Sequence, residues 1–139
     1  MTDIFLPFNE KNIVFSRFID RPNRFIIRCQ LEESAEIIEA HLADSGRLKE
    51  LLISNQRVML RAVNDPKRKT KFSSVAVEKE NGSGWVSLNS TLPNALAKLA
   101  VENSFFPQLA DWNYVRSEFT KGQSRWDLLL EKGERHMIV

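Results

Sequence analysis

The sequence lacks a second cysteine, a long hydrophobic run and a basic leader. Its single cysteine, Cys29, cannot form an internal disulfide, which is typical of a protein from a reducing cytoplasm. No apolar stretch reaches the roughly 18 residues that a membrane span requires. The first ten residues carry Asp3 and Glu10 and no run of basic residues, so they do not indicate a signal peptide. We therefore expect a cytoplasmic, globular protein of one ordinary domain or two small ones.

The small net charge of +2 conceals a strong segregation of charge. Residues 31–44 contain five acidic residues and no lysine or arginine, whereas residues 47–71 contain eight basic residues and two acidic ones. Phosphate binding depends on such a local excess and not on the total charge. The segregation therefore allows a nucleic-acid partner, and the alternative is a solvated lysine-rich loop.

Short strands dominate the first part of the chain. Apolar and β-branched runs predict strands over residues 12–19, 23–30, 36–42, 56–63 and 71–79, with a turn at residues 21–23. Residues 47–53 have the spacing of one or two helical turns. Five short strands with a brief helix are typical of a small β-barrel and too few for a seven-stranded sandwich.

The pattern changes after Ser90. Thr91 and Pro93 predict the start of a helix that places Leu96, Leu99 and Ala100 on one face. Three further strands are predicted over residues 113–120, 124–131 and 134–139. The sequence thus predicts an α+β protein with a barrel domain over residues 1–82 and part of a second domain over residues 83–139.

Basic residues cluster in the predicted connections between barrel strands, where barrels of this kind bind oligonucleotides. Gly46 before Arg47 also fits an anion site at a helix N-terminus. Four strand aromatics, Phe15, Phe18, Phe25 and Phe72, are candidates for base stacking, although we expect only one of them to be exposed. The predicted nucleic-acid-binding residues are Arg21, Arg24, Arg47, Lys49, Lys67, Arg68 and Lys69.

Several local patterns together resemble the sugar fermentation stimulation protein A family. Residues 41–51 (HLADSGRLKEL) resemble the HLxxxGRLKELL signature of that family. The other matching segments are RPNRF at 21–25, PKRKT at 66–70, LPN at 92–94 and SRWD at 124–127. Each pattern is weak alone, but they occur in the family's order from about residue 18 onward.

The resemblance implies an OB-like β-barrel followed by an α/β domain of the PD-(D/E)xK nuclease type, in a DNA-binding protein linked to sugar metabolism. The family pattern continues into an E-V-K segment, whereas this sequence stops at Val139. We therefore expect a second metal carboxylate and the catalytic lysine to lie outside this chain, which alone is expected to be inactive.

Two carboxylates are candidates for catalysis and metal binding. Asp127 belongs to the SRxD match, and Glu118 lies on the preceding predicted strand, so a hairpin would bring them together around Mg²⁺. The alternative is that Asp127 forms a surface ion pair with Arg125 or another neighbour.

Three functions remain open on the sequence. The first is DNA binding with little sequence preference through lysine and arginine contacts with phosphate. The second is a metal-dependent nuclease completed by residues beyond Val139. The third is regulation through protein partners. No helix-turn-helix pattern indicates recognition of a specific operator.

Overall fold

Contacts between residues divide the chain into two units. The computed structural model describes residues 3–7 and 11–139. Of these, residues 11–90 form the barrel unit, and residues 3–7 and 91–139 form the second unit. The sequence placed this division between residues 82 and 83. In the structure it follows Ser90, because the strand at Trp85–Ser87 pairs with the last strand of the barrel.

Six strands form the sheet of the barrel unit. They are β1 (Ile13–Asn23), β2 (Ile26–Leu31), β3 (Ile37–His41), β4 (Arg57–Ala62), β5 (Phe72–Glu78) and β6 (Trp85–Ser87). Their order in the sheet is β3-β2-β1-β4-β5-β6, and β3 also pairs with β5 in parallel, through Ala40 with Phe72 and His41 with Ser73. This pairing closes a five-stranded OB-like barrel and confirms the predicted fold class.

Alternation along the strands builds the barrel core. Val58 and Leu60 of β4 and Ile27 and Cys29 of β2 are fully buried, while their strand neighbours face outward. Full burial of an aliphatic side chain contributes about 1.5–3 kcal/mol. The buried hydroxyl of Ser16 donates a hydrogen bond to the Val58 carbonyl at 3.0 Å, so this polar group inside the barrel is satisfied.

The first strand, β1, is long, and neither neighbouring strand pairs with it along its whole length, so part of one edge is left without a strand partner. Its first half pairs with β4 and its second half with β2, where two register shifts interrupt the ladder. A non-helical stretch, residues 44–55, which we call the cap segment, covers the remaining edge. Asn55 donates to the Phe18 carbonyl at 2.7 Å, and Phe18 donates to the Gln56 carbonyl at 2.8 Å.

The cap segment is not the predicted helix. Leu51 and Leu52 both donate to the Leu48 carbonyl, which makes a single hydrogen-bonded turn. Leu48 has φ of 51° and Asn55 has φ of 68°, and this left-handed backbone prevents a helix from continuing through either residue. The predicted anion site at a helix beginning near Arg47 is therefore wrong, because no helix begins there.

The first hairpin turns later than predicted. β1 continues through Pro22 to Asn23, and Asn23 pairs with Ile26, so the turn consists of Arg24 and Phe25. Pro22 is accommodated because it lies in the irregular stretch of the ladder. The turn residues are therefore one arginine and one aromatic residue.

The second unit packs a helix against a small sheet. Its elements are α1 (Leu92–Glu102), a 3₁₀ turn (Pro107–Leu109), β7 (Asn113–Lys121), β8 (Ser124–Lys132) and β9 (Arg135–Ile138). The antiparallel sheet has the order β7-β8-β9 and confirms the three predicted strands to within about a residue. Gly122 and Gly133, with φ of 63° and 58°, open the two-residue turns between these strands.

The buried face of α1 differs from the predicted one. Ala100 and Val101 are buried, and Val101 packs with Leu128 and Leu130, whereas Leu96 is 43% exposed. The helix carries apolar residues on several of its faces, so the period of the apolar residues alone does not show which face is buried. Among the described residues α1 is the longest helix, with 11 residues, and no helix has the length and hydrophobicity needed to cross a membrane.

Candidate nucleic-acid interface

A groove with basic residues opens between the β1–β2 turn and the cap segment. Its volume is about 470 Å³, within the range of small-ligand pockets. We call it the basic groove. It is lined by Phe18, Arg21, Asn23, Arg24, Ser45, Gly46, Arg47, Lys49 and Leu52. Four of the seven predicted nucleic-acid-binding residues therefore lie together here.

Arg21 holds the two walls of the basic groove together. Its Nη1 donates to the carbonyl oxygens of Gly46 at 2.6 Å and Arg47 at 2.9 Å, and its Nη2 donates to those of Arg24 at 2.8 Å and Asp44 at 3.3 Å. The guanidinium donors that would bind phosphate are thus directed at the backbone. Arg21 was predicted to bind nucleic acid, but the structure gives it an internal role in shaping the groove.

The other cations of the groove are free. Arg24, Arg47 and Lys49 are exposed, and within the described residues none of them has an ion pair or a side-chain hydrogen bond. Other arginines of the barrel form ion pairs, as Arg57 does with Glu32 at 2.8 Å and Arg28 does with Asp20. The groove therefore carries an uncompensated positive charge, which is the condition for attracting an anion.

A second group of cations lies on the connection between β4 and β5. Lys67 and Lys69 are exposed, with no ion pair or side-chain hydrogen bond in the described part of the chain. Arg68 instead donates to the hydroxyls of Thr70 at 3.2 Å and Ser73 at 3.0 Å. Of the three predicted residues here, two are free and the third is engaged by hydroxyls of its own loop and of β5.

The two groups of cations flank the same end of the barrel. Phe72, the first residue after the β4–β5 connection, lies beside Ala40 of β3, and Ala40 pairs with Ile27 of β2. Ile27 follows the β1–β2 turn by two residues. In OB folds the ligand-binding surface lies between the β1–β2 and β4–β5 loops. Here Arg24, Lys67 and Lys69 lie in these two loops, and Arg47 and Lys49 lie on the cap segment, across the basic groove from the β1–β2 turn.

The outer face of β2 and β3 is not positively charged. Arg28 is paired across the ladder with Glu39 and forms an ion pair with Asp20 of β1. The hydrogen bond from Arg28 keeps the pKa of Asp20 below its usual value, so this carboxyl stays ionised at neutral pH. One cation thus faces two carboxylates, so this group on the outer face has no net positive charge.

One of the four candidate aromatics is available for stacking, as expected. Phe25, in the β1–β2 turn, is 53% exposed, whereas Phe18 is buried in the core. Phe72 packs against the core. The ring of Phe15 is covered by the guanidinium of Arg57, whose Cζ lies 4.2 Å from the ring centre. Only Phe25, next to the free Arg24, presents its ring to solvent.

Cys29 is a core residue of the barrel. Its side chain is fully buried, and burial raises the pKa of the thiol to about 11. A thiol with this pKa remains protonated at neutral pH, so Cys29 is not a nucleophile.

The two candidate metal carboxylates lie on neighbouring strands. Ser117 pairs with Leu128 and Phe119 with Trp126, so Glu118 and Asp127 occupy opposed positions between these pairs. Glu118 has φ of 56°, a left-handed conformation in the middle of a strand. Such strained residues are held by their surroundings and are frequent at functional sites.

The donor set around these carboxylates does not make a complete Mg²⁺ site. Glu118 forms an ion pair with Arg125 at 2.5 Å, and Asp127 accepts a long hydrogen bond of 3.4 Å from the Asn94 amide. The described residues contain no group of three or more acidic, histidine or cysteine side chains that would hold a metal. The alternative prediction was an ion pair between Asp127 and Arg125 or another neighbour. In the structure Arg125 pairs with Glu118 instead.

Two long-range side-chain hydrogen bonds of the candidate sites were not predicted from the sequence. Asn94, in the LPN match, reaches Asp127 although 33 residues separate them, and Arg21 reaches Gly46 across 25 residues. A signal was present, because both residues lie within the family-like segments. No local pattern indicates which distant group each side chain contacts.

The barrel unit matches the family model described as the SfsA N-terminal OB domain. The match covers residues 19–88, which are 70 of the 139 residues. It includes Arg21, the basic groove and the β4–β5 connection.

Curated relatives carry the name sugar fermentation stimulation protein homolog. One from Shouchella clausii is 36% identical over 123 residues, which are 88% of this chain and 53% of that protein. One from Clostridium botulinum (strain Langeland) is 37% identical over 122 residues, 88% of this chain and 51% of that protein. The chain thus spans about half the length of the curated relatives it matches.

A solved structure shares the fold. SfsA from Pyrococcus furiosus, determined in complex with Ca²⁺, superposes with a TM-score of 0.73 at 21% identity, over 91% of this chain and 52% of that one. This likeness agrees with the closed barrel followed by a helix and a small sheet.

Proposed function

The chain belongs to the sugar fermentation stimulation protein A (SfsA) family, and from this premise we propose that it binds DNA with little sequence preference through basic loops at one end of its barrel. The name of the relatives refers to sugar fermentation. We extend the proposal to a cytoplasmic role in which this DNA binding contributes to the regulation of sugar metabolism.

The observation that carries the proposal is the group of five free cations at one end of the barrel. Each is exposed and needs to break no ion pair before it meets a phosphate, so the full Coulomb attraction is available to the ligand. The paired arginines on the rest of the barrel lack this property. The five are Arg24, Arg47, Lys49, Lys67 and Lys69.

Low sequence preference follows from the kind of group that is presented. Lysine and arginine contacts with phosphate position a protein on DNA but carry no base information. Base readout in the major groove needs a helix or ribbon inserted there. The only α-helix in the described part of the chain, α1, belongs to the second unit, so the barrel loops have no recognition helix.

Salt dependence tests the proposal directly. Binding of a random-sequence duplex, followed by fluorescence anisotropy, is expected to weaken linearly with salt on a logarithmic plot, with a slope of about 0.9 per phosphate contacted. Five contacts correspond to a slope of about 4.5. An affinity that is unchanged between low and high salt would contradict the proposal.

Charge-neutral variants locate the surface. The triple variant Arg24→Gln, Arg47→Gln and Lys49→Gln loses three phosphate contacts, so its salt slope is expected to be smaller than that of the parent chain by about 2.7. A matched control removes three exposed lysines that lie outside both groups of cations. This control, with the same loss of charge, is Lys11→Gln, Lys79→Gln and Lys121→Gln; its slope is expected to remain that of the parent chain.

A second candidate, metal-dependent nuclease activity, is favoured by the opposed Glu118 and Asp127. A solved structure that shares this fold was determined with Ca²⁺, a divalent cation that binds oxygen ligands as Mg²⁺ does. Because these two carboxylates do not complete a site, we place this activity in full-length relatives, whose additional residues would supply the remaining groups. Plasmid nicking with Mg²⁺ or Mn²⁺ by a full-length relative, but not by this chain, is the expected result.

A further inference from the structure

We propose that the basic groove is a subsite for one unpaired nucleotide, so that the barrel unit binds single-stranded DNA more tightly than duplex DNA. This inference rests on the proposed function and specifies the form of DNA that the site takes. It follows from the shape of the groove, its lining and the charge of the neighbouring sheet face.

The shape of the groove suits one nucleotide and excludes a duplex. Its volume of about 470 Å³ lies between the β1–β2 turn and the cap segment, and Arg21 fixes the separation of these walls. Bases inside a duplex are stacked and paired, so a base enters such a pocket only after it leaves the stack. Single-stranded DNA offers its bases without that cost.

The lining of the groove has an apolar part and a cationic part. Phe18 and Leu52, which are 6% and 8% exposed, contribute apolar surface. Arg24, Arg47 and Lys49 contribute exposed charge. A nucleotide has the same division, with a flat base and an anionic phosphate, whereas a ligand that is only a phosphate would leave the apolar surface unused.

An exposed aromatic ring lies at the same turn. The backbone of Phe25 is fixed, because its N–H donates to Asn23 Oδ1 at 2.9 Å and its carbonyl accepts the Leu42 N–H at 2.7 Å. Its ring is 53% exposed, so it forms no part of the core. Aromatic rings beside cations are the elements that stack successive bases of a single strand.

The outer face of β2 and β3 does not compete for the strand. OB folds commonly bind oligonucleotides across this face. Here Arg28 faces both Asp20 and Glu39, and the isoleucine at position 37 is 60% exposed without a cation opposite it. A phosphate chain gains nothing on this face, and the charge directs it to the groove.

Competition between single-stranded and duplex DNA tests the inference. A site that uses charge alone prefers duplex, because duplex DNA has the higher charge density. We expect a labelled oligothymidylate of about 15 nucleotides to bind about tenfold more tightly than a duplex of the same length at equal salt. Equal affinity, or tighter binding of the duplex, would overturn the inference and leave the proposed function intact.

A variant that fills the groove gives an independent test. Ser45→Trp places a large uncharged side chain at an exposed position of the lining, and it is expected to remove the preference for oligothymidylate over duplex. The matched control is Ser83→Trp, at an exposed turn outside the groove, which is expected to keep the preference. A Ser45→Trp chain that is folded by circular dichroism and retains the full preference would overturn the inference. If the parent chain bound neither single-stranded nor duplex DNA in a salt-dependent way, both proposals would be overturned.

Discussion

The guanidinium Nη1 of Arg21 lies 2.6 Å from the carbonyl oxygen of Gly46. Through this hydrogen bond β1 holds a segment that is 25 residues away and that carries Arg47 and Lys49. The same guanidinium also holds the carbonyl of Arg24 in the turn opposite. One internal cation thus sets the spacing of the three free cations in the basic groove.

Substitution of Arg21 is expected to damage both stability and binding. Arg21→Met removes four hydrogen bonds that a charged donor makes, and a loss of about 2–4 kcal/mol in the free energy of unfolding is expected. DNA affinity should fall by more than one lost charge explains, because the positions of Arg24, Arg47 and Lys49 are no longer fixed. Urea unfolding and anisotropy titration of the same preparation measure the two effects.

Arg28→Met is the control for that substitution. It removes one positive charge from the neighbouring strand, where Arg28 pairs with Asp20 at an exposed site. Stability and DNA binding are expected to change little, because exposed ion pairs contribute little. If both variants lower DNA affinity equally, Arg21 acts only through its charge and the positioning role is wrong.

Local pattern predicted the barrel strands but not the cap. Residues such as Val58 and Leu60 alternate with outward-facing neighbours, and this period of two is sufficient to predict β4. The cap segment has apolar residues at helical spacing, yet Leu48 adopts φ of 51° because its backbone follows the edge of β1 and not a helix axis. Tertiary contacts decide such a segment, and they are absent from its local sequence.

The candidate site divides in the same way. The local excess of positive charge correctly indicated which loops are basic, since charge can be counted from the sequence. It did not distinguish Arg21 and Arg68, which are engaged by backbone or hydroxyl oxygens, from Arg24 and Lys67, which are free. That distinction depends on groups brought together by folding, as Gly46 is brought to Arg21.

A cluster at Glu32 predicts a loss of stability in acid. Arg57 donates two hydrogen bonds to Glu32, at 2.8 and 3.1 Å, and these keep the pKa of Glu32 below its usual value of 4.5. A carboxyl with a lowered folded-state pKa stabilises the fold above its unfolded-state pKa, and this stabilisation is lost as the pH falls through the folded-state pKa. Because the side chains are about a third exposed, the contribution is expected to be about 1 kcal/mol or less.

Glu32→Gln measures that contribution. The free energy of unfolding of this variant should lie below that of the parent chain at pH 7, and the difference should shrink as the pH falls below 4.5. A difference that stays constant from pH 7 to pH 3 would mean that ionisation of Glu32 does not stabilise the barrel.

Cys29 predicts a loss of stability in base. Burial raises the pKa of its thiol from the usual 9.0 to about 11, so the unfolded chain loses this proton first as the pH rises. The free energy of unfolding is therefore expected to fall between pH 9 and pH 11, by up to about 2–3 kcal/mol. Cys29→Ala is less stable at pH 7 because of the cavity, but its stability should decline less across that interval. Parallel declines in the two chains would contradict the assignment to Cys29.

Weak metal binding is the expected behaviour of Glu118 and Asp127 in this chain. The two carboxylates are exposed, Glu118 is paired with Arg125 at 2.5 Å, and the described residues supply no third acidic or histidine ligand beside them. A ligand present at its dissociation constant stabilises a fold by only about 0.4 kcal/mol, so Mg²⁺ at about 1 mM should leave the thermal midpoint almost unchanged. Differential scanning fluorimetry with and without EDTA, on the parent chain and on Asp127→Asn, measures this. A saturable Mg²⁺-dependent rise in the midpoint that Asp127→Asn abolishes would show that this chain forms a metal site of its own, and the ion pair between Glu118 and Arg125 would then have to open when the metal binds.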